Sequence, residues 1–182
     1  MYVKKKKLES PAKIRRRLFK LWSEKVRERD NNSCIFCGIK VGTINENDKK
    51  IRIEAHHLLS RSIHNSPLKF DIRNGISLDS LHHKFSPEES FHKAPIIMLD
   101  WYKNKYPENH KFIIDNYKIR IDIDNRVVLY EIERCLNNNE LLDFNKLKEI
   151  ESNNPRKIIK ENIVNTMIDA KIETKKEDNG LF

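Results

Sequence analysis

Glycine is scarce in this chain: four residues in 182, which argues against an all-β fold built on tight hairpins. Cysteine is scarcer still. Three thiols, two of them in Cys34-x-x-Cys37, do not make a disulfide framework and fit an intracellular, cytoplasmic protein that binds metal. No apolar run approaches the length needed to cross a bilayer, so no membrane partner is expected. The basic N-terminus has no apolar segment after Lys4–Lys7 and does not read as a secretory signal. No internal repeat is visible. With 38% hydrophobic and 35% charged residues, the chain affords one domain with a modest core and a heavily charged surface.

What is present is unevenly spread. Residues 1–30 carry twelve Lys and Arg against four acids, a net +8 of the chain's +9. Such an arm suits a polyanion, whose counterions are released as phosphates are neutralised, although a solvated tail or localisation signal has the same composition. Arg15, Arg16 and Arg17 are its candidate DNA contacts. Histidine is equally concentrated: all but His110 of the seven lie between residues 56 and 92.

Ser10-Pro11 predicts a helix start, and Ile14, Leu18, Leu21, Trp22 and Val26 follow with helical spacing up to Asp30-Asn31-Asn32. Cys34–Gly38 reads as a tight knuckle. Ile51–His56 alternates like a strand, Gly75–Leu78 suits a second, and the polar stretch between them, about Leu59 to Arg73, reads as a loop. Asp79 is placed to cap a helix carrying His82 and His83, and Pro95 and Pro107 each open another. Further helical patterns cover 123–136, 142–152 and 156–172. The expected organisation is a disordered basic tail (1–10), a main domain (11–120, with its core at 51–92), a C-terminal helical extension (121–174) and a frayed tail (175–182).

The ordered set Cys34-x-x-Cys37, Glu54-Ala55-His56-His57, Asn74 and His83 resembles the HNH endonucleases, the His-Me finger or ββα-metal nucleases. The likeness runs from about Leu21 to about Tyr106. It includes Leu21-Trp22-Ser23-Glu24-x-Val26-Arg27-x-Arg29-Asp30, similar to the lead-in helix of phage-type members. It also includes Asp71-x-x-Asn74-Gly75-x-x-Leu78 and His92-x-x-Pro95 before Trp101. The fold so implied is α+β and mostly helical: a ββα-metal finger with a zinc knuckle, flanked by the basic helix and the C-terminal helices.

The resemblance implies a metal-dependent hydrolase that nicks or cuts double-stranded DNA, leaving 5′-phosphate and 3′-hydroxyl ends. His57 stands at the general-base position, Asn74 at the residue that braces it, and Glu54 at a supporting carboxylate. His56 and His83 would ligate one catalytic divalent metal, Mg²⁺ or Mn²⁺ with Zn²⁺ or Ni²⁺ as alternatives. Pro87 occupies the place where many members carry a third ligand. Either His92 fills that role after an insertion of about five residues in Ser86–Phe91, or water and phosphate complete the shell.

The usual second C-x-x-C is replaced by Asp79 and His82, which with Cys34 and Cys37 would form a Cys₂-His-Asp structural zinc site; the alternative is a pair of merely buried thiols. Arg61 and Arg73 flank the site as candidate phosphate contacts. The rival reading is a non-catalytic, zinc-stabilised nucleic-acid-binding module. A homodimer or a phage-assembly partner is expected, if anywhere, at the C-terminal helices.

Overall fold

A computed structural model describes residues 8–153. The greater part of the expected basic tail, the helical pattern at 156–172 and the terminal tail at 175–182 lie outside those residues. The fold is mixed α+β, mostly helical, with one two-stranded antiparallel sheet.

Helix α1 (Pro11–Arg29) begins where Ser10 Oγ accepts the Lys13 amide and Pro11 fills the first turn, whose N–H needs no partner. Ile14, Leu18, Trp22 and Val26 recur every fourth residue, and all four are buried. The helix closes on Asn31 and Asn32, both in the left-handed region with φ of 55° and 52°. Gly38, with φ +77°, completes the turn at Cys34, where its amide donates to the Cys34 carbonyl at 2.7 Å.

Strand β1 (Ile53–His57) pairs with β2 (Gly75–Asp79), Ile53 opposite Asp79 and His57 opposite Gly75. β2 is buried throughout, and α1 covers its outer edge. The Ser77 amide donates to Asp30 Oδ2 at 2.9 Å, and Arg29 donates to the Gly75 carbonyl at 2.7 Å. The Ser77 carbonyl accepts from Ile35 in the cysteine turn at 2.9 Å. An edge strand whose polar groups are answered this way offers no template for further pairing.

Two elements differ from their expected form. The segment between the strands is no plain loop. It carries two 3₁₀ turns, Pro67–Phe70 and Ile72–Asn74, and sinks Leu68 and Phe70 fully into the core. Downstream of β2, the expected helix is a single wide turn, Leu81–Phe85, closed by a Ser86 amide to Leu81 carbonyl bond of i→i+5 type at 2.9 Å.

The remaining helices are α2 (Pro95–Lys105), α3 (Pro107–Asn116), α4 (Arg126–Asn137) and α5 (Phe144–Ser152). Asn125 and Asp143 cap the last two. Apolar burial divides into two clusters. One joins α1, Leu68, Phe70, α4 and α5; the other joins Cys34, Ile53, Ile76, Leu78, Phe91, Met98 and Tyr102. The expected boundary near residue 120 therefore does not divide the packing, because Val128, Leu129 and Ile132 share a core with Ile14 and Leu18. Among the described residues no helix is long and apolar enough to cross a membrane.

Candidate metal centres and the adjoining cavity

β1 and the wide turn bring two sets of donor atoms together. Cys34, Cys37, Asp79 and His82 form one set; His56, His83 and His92 form the other. Within each, the donor atoms lie within 4.8 Å of one another. His82 and His83 are neighbours in sequence yet serve different sets. Successive residues on a helical turn, even a wide one, project in well-separated directions, which aims the first at the cysteine turn and the second at β1.

In the cysteine-bearing set, His82 Nδ1 lies 2.8 Å from Asp79 Oδ2 and 3.7 Å from Cys34 Sγ, and the Cys37 thiol donates to the same Asp79 oxygen at 3.1 Å. A tetrahedral zinc with ordinary bond lengths has ligand–ligand edges of about 3.3–3.8 Å. The observed spacings run from 2.8 to 3.7 Å, so the four groups can hold such an ion with only small movements. Asp79 also accepts the His82 amide at 3.0 Å, which fixes the carboxylate. Burial pushes the Cys37 thiol up to about 12. A bound cation would reverse that by favouring the thiolate.

The all-imidazole set is held from behind by Glu54. Its Oε2 accepts from His83 Nδ1 at 2.5 Å and from Lys84 Nζ at 2.6 Å. The Lys84 bond, with that from His83, keeps the carboxyl below its usual range despite partial burial. With Nδ1–H committed to Glu54, His83 turns its bare Nε2 toward His92 Nε2 at 3.2 Å. Burial lowers His83, and burial with the neighbouring His83 and His92 takes His56 down to about 3. Three imidazoles whose ring nitrogens converge in this way fit a metal ion. His92 is placed by backbone bonds: Phe91 donates to the His82 carbonyl at 3.1 Å and His92 to that of His83 at 3.3 Å.

His57, next along β1, faces the other way. Its ring stacks on Trp22 at 3.6 Å between centroids and 14° between planes, with Phe19 edge-on at 6.2 Å. Nε2 lies 2.9 Å from the Lys69 carbonyl, which can only accept, so Nε2 carries the proton and Nδ1 is left bare. Burial, with the charges of Arg61 and Lys69, lowers His57 to about 4, leaving it neutral at pH 7.

Asn74, fully buried, does not bond His57. Its Oδ1 accepts from the Leu59 amide at 2.7 Å, and Nδ2 donates to the Leu59 and Leu68 carbonyls, both at 3.1 Å. It pins both ends of the segment that presents Lys69, and so acts on His57 at one remove. Gly75 is extended, with φ −122°, and no turn demands it. A Cβ there would meet Val26 and Trp22 at 2.5 and 2.6 Å, so glycine is what lets α1 lie against the sheet.

An open cavity of about 570 Å³ is lined by His56, His57, His83 and His92, with Arg61 and Lys84 also in its wall. Arg61 sits over the Phe19 ring at 5.8 Å and is exposed. The other candidate DNA-contacting arginines are placed differently. Arg17 bonds Glu133 at 2.9 Å and Glu9 at 2.9 Å, and Arg15 pairs with Asp124; both tie α1 to the α4 region. Arg73 is held by Asp71 at 2.6 Å and the Leu142 carbonyl at 3.0 Å, with its guanidinium 3.5 Å above the Phe112 ring. These three act as internal fasteners, whereas Arg16 is exposed. The sequence reading missed Lys84 and Lys69, because nothing in a lone lysine's neighbours signals what it will face. Comparison with protein-family models, with curated proteins and with solved structures returned no match.

Proposed function

We propose that this protein is a metal-dependent endonuclease of the HNH, or ββα-metal, kind that hydrolyses phosphodiester bonds in double-stranded DNA. The observation that carries the reading is a division of labour along one strand. His56 enters a three-imidazole set, and the next residue, His57, offers a bare Nδ1, both lining one open cavity. In this reading β1, β2 and the turn bearing His83 form the metal finger, its helix reduced to one wide turn.

His56, His83 and His92 would hold a divalent cation, which would supply Lewis-acid stabilisation of charge on the phosphate and on the departing 3′ oxygen. His57 takes a proton from water at Nδ1 while Nε2–H stays anchored on the Lys69 carbonyl, which steadies the imidazolium that results. Trp22 holds the ring plane. Glu54 holds His83 in the tautomer that turns Nε2 inward. Three neutral nitrogens without a carboxylate suit Zn²⁺, Ni²⁺ or Mn²⁺ better than Mg²⁺, which prefers oxygen. The closed Cys34, Cys37, Asp79 and His82 set suits a structural Zn²⁺.

The test is cleavage of supercoiled plasmid by the purified protein in Mn²⁺, Ni²⁺, Zn²⁺ or Mg²⁺, beside EDTA and His57→Ala controls. Nicked or linear product is expected, lost in EDTA and slowed by about 10²–10⁴-fold in the variant. DNA bound but uncut in every metal would instead identify a zinc-stabilised nucleic-acid-binding module.

A further inference from the structure

We propose that Lys84 is a substrate-contacting residue, gripping the DNA backbone on the leaving-oxygen side of the cut, and that it exchanges Glu54 for a phosphate when DNA enters. The inference rests on the endonuclease reading. Among the described residues the wall of the cavity contains no carboxylate, only imidazoles, uncharged groups and two cations. Arg61 stands at the His57 end, where β1 runs out. Lys84 stands next to the metal-facing His83, behind which lies Glu54, three residues (about 10 Å) back along the strand from His57. A cavity with a cation toward each end and no carboxylate in its wall, once Lys84 leaves Glu54, selects a chain of anions over a single one.

The link between Lys84 and Glu54 is built to be given up. Lys84 bonds a carboxylate oxygen, Oε2, that already accepts from His83 Nδ1. Its ammonium has three donors, and Glu54 is its one hydrogen-bond partner among the described residues. The side chain is 42% exposed, at the rim. A phosphate oxygen can therefore replace Glu54 without uncovering a buried charge, and Glu54 then serves His83 alone.

Binding of a fluorescein-labelled duplex to the full-length chain, followed by anisotropy across a salt series, tests this in the His57→Ala background with Mn²⁺ so that the DNA stays intact. Lys84→Gln is expected to weaken binding by about tenfold near 0.1 M salt and to reduce the slope of log K against log [salt] by about one. Lys84→Arg should restore the slope. Mn²⁺ affinity, read by calorimetry, should be equal or higher in Lys84→Gln, since Glu54 is freed for His83.

An unchanged salt slope accompanied by weaker Mn²⁺ binding would overturn the proposal and leave Lys84 as a prop for Glu54. If Lys84→Gln does not fold, Lys84→Met carries the same comparison. A parent protein with no salt-dependent affinity for duplex would instead sink the endonuclease reading itself.

Discussion

The two donor sets share a single turn of chain and differ in almost everything else. The set at Cys34, Cys37, Asp79 and His82 has four donors of three chemical kinds, and three of those residues are buried. It leaves no coordination position unfilled. The set at His56, His83 and His92 has three donors of one kind, opens on a cavity and is backed by a carboxylate. Closed four-donor sites are structural, whereas three-donor sites keep a position for water or substrate. In the proposed reading, neighbouring histidines thus acquire opposite duties from what surrounds them.

The sharpest way to break that contrast is to remove one ligand from each set. Cys34→Ser is expected to lower the melting temperature by more than about 10 °C and to abolish the zinc retained after dialysis. The reason is that metal binding at a closed site is folding free energy. His92→Ala, which alters an exposed residue, should shift melting by no more than about 3 °C while removing metal from the other set. Equal losses of stability in the two variants would end the distinction.

Acid acts next on His57, the neighbour of His56 that belongs to neither set. His57 has its pKa lowered to about 4 in the folded chain, against about 6.5 unfolded. Below pH 6.5 the unfolded chain takes up a proton that the native ring refuses. Stability is therefore full above that pH and falls as pH drops toward 4, by roughly 3 kcal/mol from this residue. Urea unfolding between pH 7 and 4 in the presence of chelator should show the fall, and His57→Gln should reduce it by about that amount, leaving the part that His56 and His83 contribute.

A smaller effect probes the scaffold that both sets share. Gly75→Ala drives a methyl into Val26 and Trp22 and should cost about 1–3 kcal/mol in urea unfolding, with the metal content of both sets retained. The least effect is expected on DNA. Arg17→Gln should leave duplex affinity within about twofold, because its charge is already spent on Glu133 and Glu9, while Arg61→Gln should reduce the salt slope by about one.

Much of the chain's local structure was legible because its signals are local. Pro11, Pro95 and Pro107 open helices where expected, and the asparagines at 31 and 32 close α1. The resemblance to the HNH endonucleases also pointed to the residues that gather as His56, His83 and His92 and as Cys34, Cys37, Asp79 and His82. What sequence could not show was tertiary. Arg17 meets Glu133 across 116 residues, and Arg73 meets Leu142 across 69. No pattern near either arginine distinguishes a fastener from a DNA contact. Asn74-Gly75 reads as a turn dipeptide, yet each residue is fixed by packing: the asparagine by the segment it pins, the glycine by the helix above it. The second strand lies where it was expected, but the helix expected after it is a single wide turn that carries both His82 and His83.

The stack of Trp22 on His57 has an optical consequence. An imidazolium quenches indole emission at contact distance and a neutral imidazole does so far less, so Trp22 reports the charge on His57 through its own fluorescence. The other tryptophan, Trp101, packs against Phe36 in the second cluster, and a Trp101→Phe background isolates the Trp22 signal. The chain therefore carries a built-in indicator, readable without label or substrate, for the one proton on which its proposed chemistry turns.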